Sequence, residues 1–159
     1  MLFSFDKLIT RCIHNPKFTN RCDEKKFRYL FSRVFQKLVK YSTYTLQEIK
    51  EVDRHFHYLT PKEISVVAQE VLPQQWDTKY LRSYLHSYQV CQLSFGSQEE
   101  RMIGILQTIN NSQKHPERNH LFSPLIFDFE HSFHPNLRKK KLKEGSLICI
   151  MEEKDCSYY

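Results

Sequence analysis

The chain has 159 residues, 14% of them aromatic, with three glycines and a single alanine, Ala68. This length implies one domain that buries roughly 70% of its unfolded surface, and the aromatic content excludes a disordered chain. The net charge of +6 is uneven, with residues 1–41 at +7, 42–112 at −2, 113–143 at +4 and 144–159 at −3; no apolar run reaches the roughly 18 residues that a membrane span requires.

In chain order, the apolar spacing of Phe5, Leu8, Ile9, Cys12 and Ile13 after Ser4 predicts a short first helix, closed by Asn15-Pro16. A second helix is expected over 23–41, with Phe27, Leu30, Phe31, Val34, Leu38 and Tyr41 inward and Phe35 and Val39 widening that stripe. Thr45-Leu46-Gln47-Glu48, Thr60-Pro61-Lys62-Glu63 and Ser97-Gln98-Glu99-Glu100 each have the form of a capping box. In such a box the hydroxyl accepts from the backbone three residues on, while the Glu reaches back. They predict helices over 46–59, 61–72 and 98–109. Asp77, flanked by the staple positions Trp76 and Leu81, opens another whose face runs on toward Leu93.

After Ser112 the texture changes. Residues 113–123 read as a loop, 125–130 as a strand, 135–143 as a short helix stopped by Gly145, and 147–151 as a strand. The expected fold is therefore mainly α: a single-domain bundle of about six helices over 1–112, with a small α/β appendage over 113–159 packed on it.

The chemistry is sparse. Residues two apart on a helix diverge by about 200°, so His55 and His57 cannot share an ion on the expected helix. Glu130, His131 and His134 lack further ligands, and Cys12, His14 and Cys22 lack the paired spacing of structural zinc. His86 and Cys91 are five apart on one expected helix and do not face each other. There is no glycine-rich phosphate loop and no Gly-x-Ser-x-Gly elbow. No catalytic, cofactor or metal residue is assigned. The five cysteines show no pairing pattern and read as reduced thiols in a cytosol. Residues 1–6 lack the basic region of a secretory signal.

Two basic runs remain as binding candidates: Lys25, Lys26, Arg28, Arg33, Lys37 and Lys40 on the second helix, and Arg138, Lys139, Lys140, Lys141 and Lys143. Such runs suit phosphates or anionic lipid headgroups, and equally suit a solvated helix face.

Glu144, Glu152, Glu153 and Asp155, interleaved with the apolar stretch from Leu147 to Met151 and followed by Tyr158-Tyr159, form an acidic and apolar tail. It resembles the C-terminal signal of type IV secretion effectors of Legionella-type intracellular bacteria, and the alanine-poor, aromatic-rich body is similar to small helical effectors of that class. The resemblance implies a bacterial protein that acts in a host cytosol. The leading expectation is thus a non-enzymatic module with a protein partner. A binder of anionic lipid or nucleic acid through the basic face comes second, and a small enzyme without a local motif third.

Overall fold

The computed structural model describes residues 1–8, 20, 22–65, 83, 85, 87–95, 100–109, 119–129 and 147–148. Its elements are β1 (Leu2–Phe3), β2 (Cys22–Asp23), α1 (Glu24–Ser42), α2 (Leu46–Val52), β3 (His57–Tyr58), β4 (Gln89–Ser94), β5 (Arg101–Thr108), β6 (His120–Asp128) and β7 (Leu147–Ile148). The centre is a five-stranded sheet in the order β1-β6-β5-β4-β3, and β2 pairs with β7 separately. Three of the pairings in the larger sheet are antiparallel, and β1 runs parallel to β6. This is a mixed α/β fold, and the expectation of a mainly helical bundle is overturned.

The largest correction falls on the expected helix over 98–109, whose described part is β5. Met102, Ile103, Gly104, Ile105 and Leu106 are apolar or lack a side chain, so they fit a helical period and a doubly buried strand equally well. Tertiary contact decides for the strand. Met102, Ile103 and Ile105 are fully buried between β4 and β6, and β-branched Ile suits that setting. The expected face running toward Leu93 is likewise broken. Residues 83, 85 and 87 are helical, but β4 starts at Gln89. The loop expected over 113–123 gives way at His120, where β6 begins. Ser97, the rest of the helix expected over 61–72, and the short helix expected over 135–143 lie outside the described residues.

Side chains alternate along a strand. Cys91 and Leu93 of β4, Met102 and Leu106 of β5 and Phe122 of β6 join Leu30, Leu38 and Tyr41 of α1 and Ile49 of α2 in one core. The alternate residues Val90, Ile103, Ile105 and Ile126 are equally buried, so both faces of the sheet are covered. Between β5 and β6 the register shifts at Ile103/Gly104: Ile103 pairs with Ile126 but Gly104 with Pro124, leaving Leu125 as the extra residue. A bulge suits Pro124, which has no N–H to give a ladder.

Ser4 does not open a helix. Its N–H donates to Phe122 O at 3.1 Å, extending the β1–β6 pairing, and residues 6–7 form a turn; residues 9–19 lie outside the described set. α1 matches its expected span, and no Gly or Pro interrupts it. Thr45 caps α2 with a complete capping box. That helix stops at Asp53 rather than near Leu59, because the Asp53 N–H closes the last turn onto Ile49 O at 2.8 Å while its carboxylate bonds elsewhere. Thr60 also makes both bonds of its box with Glu63, and residues 61–65 are helical.

Candidate interaction surface

α1 divides the candidate residues between its two sides. Leu30, Leu38 and Tyr41 are buried and Val34 is half-buried, so the helix docks by this arc. Successive helical residues are about 100° apart. Phe31, Phe35 and Val39 each follow a docked residue, and the rotation carries them out of the core to 56%, 55% and 66% exposure. Assigning these three to the inward stripe is thus corrected. They sit four apart and form a ridge, with the Phe31 and Phe35 rings 5.1 Å apart.

Lys25, Arg28, Arg33 and Lys40 are exposed; at about 100° per residue Arg28 falls in line with the ridge and Lys25 beside it, while Arg33 and Lys40 fall on the opposite flank. The Arg33 guanidinium lies 4.8 Å over the half-exposed Tyr29 ring, and Lys40 Nζ lies 5.6 Å over Tyr44. Such cation–π contacts order the cations without neutralising them. Residues 25–44 contain six Lys or Arg and no Asp or Glu, and Glu24 stands one turn before Arg28. Lys26 belongs to α1, with its side chain outside the described set. Arg138, Lys139, Lys140, Lys141 and Lys143 also lie outside the described residues, as do Glu144, Glu152, Glu153 and Asp155.

Lys37 departs from the other cations. It turns inward, with Nζ 3.4 Å from Ser94 Oγ and 5.0 Å over the Tyr41 ring. The Ser94 hydroxyl donates to Asp53 Oδ1 at 2.7 Å, its N–H donates to Oδ2 at 2.9 Å, and the His55 N–H donates to Oδ1 at 3.1 Å. Asp53 therefore ties the end of α2 to β4, and through Ser94 to α1. Burial holds the Lys37 ammonium below the usual lysine value, against the pull of Asp53. Burial first, then the Asp53 charge, push the Tyr41 phenol well above its ordinary value. Beside Ser94, the register aligns Arg101 and then Asp128, all three buried. Arg101 Nη1 donates to Glu100 O at 2.9 Å.

Sequence reasoning missed this polar row. The available signal was the set of polar side chains at the ends of apolar stretches: Ser94 after Leu93, Arg101 before Met102, and Asp128 after Phe127. Chemically the cluster is an anchor. Ser94 points its proton at Asp53, and at 5% exposure it offers no open nucleophile.

No family model, curated protein or solved structure matches this chain.

The histidines take unexpected places. His57 lies on β3 and His55 in the turn before it, so the helical argument that separated them does not apply. The His57 ring meets His55 O through Nδ1 at 3.3 Å and Glu63 Oε1 through Nε2 at 3.8 Å. Arg54 Nε donates to His55 Nε2 at 3.2 Å, and burial and then Arg101 and Arg54 hold the His55 ring below its ordinary value. Among the described residues, no group of three or more His, Cys, Asp or Glu side chains could hold a metal ion. Cys91 is fully buried, and burial pushes its thiol up, away from the reactive thiolate. No helix among the described residues is long and apolar enough to cross a membrane.

Proposed function

We propose that the protein is a non-enzymatic interaction module that binds through the outward face of α1. The observation that carries this reading is the ridge of Phe31, Phe35 and Val39, each more than half exposed, with Arg28 in line with it and Lys25 beside it. Water is a poor neighbour for such a ridge, and an apolar patch rimmed by polar groups marks a contact surface. Covering one Phe side chain is worth about 1.5–3 kcal/mol. The inward face of the same helix is already engaged with the sheet, which presents the ridge on a folded body.

The reading extends to a bacterial effector delivered to a host cell, supported by the acidic and apolar tail of Glu144, Glu152, Glu153 and Asp155. Two experiments test the two parts. Parent protein and the Phe35→Ser/Val39→Ser variant are each immobilised and exposed to host-cell lysate with its membranes. Material retained by the parent and lost by the variant is the expected result; equal retention overturns the surface. For delivery, a translocation reporter is fused ahead of the chain in a strain with type IV secretion. Export that persists after Glu152, Glu153 and Asp155 are all changed to Ala rules out the tail as a signal.

A further inference from the structure

We infer that the flank of α1 turned away from the Phe31, Phe35 and Val39 ridge, together with the turn after α2, binds single-stranded nucleic acid; this is a second surface, independent of the ridge. At about 100° per residue, Tyr29, Arg33, Gln36 and Lys40 fall within a stripe about 60° wide, and all four are exposed. Lys37 lies at the inner edge of that stripe and joins it to the turn after α2. Its Nζ donates to Ser94 Oγ at 3.4 Å, and the Ser94 hydroxyl donates to Asp53 Oδ1 at 2.7 Å. The same carboxylate oxygen accepts from the His55 N–H at 3.1 Å, and the exposed Arg54 donates through Nε to His55 Nε2 at 3.2 Å. Lys37 is also close enough to Lys40 and to His55 for its charge to act on each. Arg33, Lys40 and Arg54 thus border one basic surface assembled from two parts of the chain.

Charge and ring placement select the ligand. Among the described residues, no ion pair engages Arg33, Lys40 or Arg54. The acids that precede Arg54 face elsewhere. Asp53 is buried and accepts from Ser94 and His55, and the Glu51 carboxylate accepts from Gln47 at 2.9 Å. Arg33 and Lys40 are seven residues apart, about 10 Å along the helix, so they meet separate phosphates of an extended strand rather than one headgroup. Tyr29 is 48% exposed, with the Arg33 guanidinium 4.8 Å over its ring. Cations that follow the backbone beside an open ring on which a base can stack are the form of a sequence-tolerant single-strand site. A bilayer would find the cations but no aliphatic side chain in this stripe, because the apolar ridge is centred about 130° away around the helix.

The test is fluorescence anisotropy of a labelled oligouridylate titrated with the full chain at a series of salt concentrations. The expected result is binding that weakens as salt is raised. Each phosphate contact on a single strand contributes about 0.7 to the slope of log affinity against log salt, so Arg33→Gln/Lys40→Gln should reduce that slope by about 1.4 and Arg54→Gln by about 0.7. Tyr29→Ala should lower the affinity at least about fivefold, the loss of one stacked base, and Tyr29→Phe should restore it. An unchanged thermal unfolding transition shows that each variant is folded. Lys25→Gln, which removes one charge on the ridge side, and Phe35→Ser/Val39→Ser should both bind as the parent does. No binding at low salt, or a parental slope in Arg33→Gln/Lys40→Gln, overturns the inference. A slope loss in Lys25→Gln equal to that in Lys40→Gln also overturns it, by making net charge rather than this surface the cause. If Tyr29→Ala binds as the parent does and polyglutamate competes fully, the nucleic acid gives way to an acidic protein. If phosphatidylserine vesicles bind and oligouridylate does not, it gives way to lipid.

Discussion

Gly104 has no room for a side chain. A Cβ built there would lie 2.5 Å from Phe122 Cζ and 2.6 Å from Ser123 O. The phenyl ring can turn aside, but Ser123 O belongs to the backbone of β6 next to the bulge and cannot withdraw without opening the ladder. Gly104→Ala should therefore destabilise the protein by about 2 kcal/mol, within the range for overpacked cores. Urea denaturation reads this as a lower midpoint, and an unchanged midpoint would mean that β6 yields at the bulge. Asp53 illustrates the opposite economy at the same scale. One buried carboxylate ends α2, holds the N–H and hydroxyl of Ser94, and holds the N–H of His55.

At the scale of the element, α1 has a core side and an exposed side, and they separate by mutation. Leu30 is 2% exposed within the core, whereas Phe35 is 55% exposed on the ridge. Leu30→Ala should cost about 2–5 kcal/mol, the range for large-to-small changes in a core. Phe35→Ser should change stability by no more than about 0.5 kcal/mol. Chemical denaturation of the two variants side by side measures the contrast. Comparable losses would mean that Phe35 is part of the fold. The strands show how a single pattern serves two structures: β5 is apolar nearly throughout because both of its faces are covered, and this erases the alternation that identifies a strand with one wet face.

For the whole molecule, the two sheets join distant parts of the chain, with β1 parallel to β6 in one and β2 paired with β7 in the other. Two half-buried histidines make its stability depend on pH. Burial lowers both His55 and His120 from 6.5 in the folded state, and among the described residues His120 Nδ1 is buried without a partner. Below 6.5 the unfolded chain binds protons that the folded rings resist, so their contribution is complete above 6.5 and lost as pH falls through the folded values. The urea midpoint should thus drop between mildly alkaline and mildly acidic buffer. His55→Gln/His120→Gln should flatten that slope; an equal slope would assign the acid sensitivity to other groups.

Local rules account for what the sequence determined by itself. The extent of α1, expected over 23–41 and found at Glu24–Ser42, follows from an uninterrupted run of helix-compatible residues. The capping boxes at Thr45 and Thr60 form because each partner Glu is three residues away. The strand expected from the apolar run over 147–151 is found at Leu147–Ile148, the described part of that run. Only the tertiary structure decided that Met102 to Leu106 are strand, since Ile103 owes its conformation to Gln92 on one side and Ile126 on the other, neither of them near in sequence. The same holds for the candidate surface. Periodicity identified a basic helix with an apolar face, but the arc that turned inward was chosen by what Leu30, Leu38 and Tyr41 met in the core. That choice turned Phe31, Phe35 and Val39 outward and drew Lys37 in toward Ser94. A helix carries its own hydrogen bonds, so its neighbours in sequence suffice to write it. A strand and a docked face are completed by partners that only the folded chain brings near.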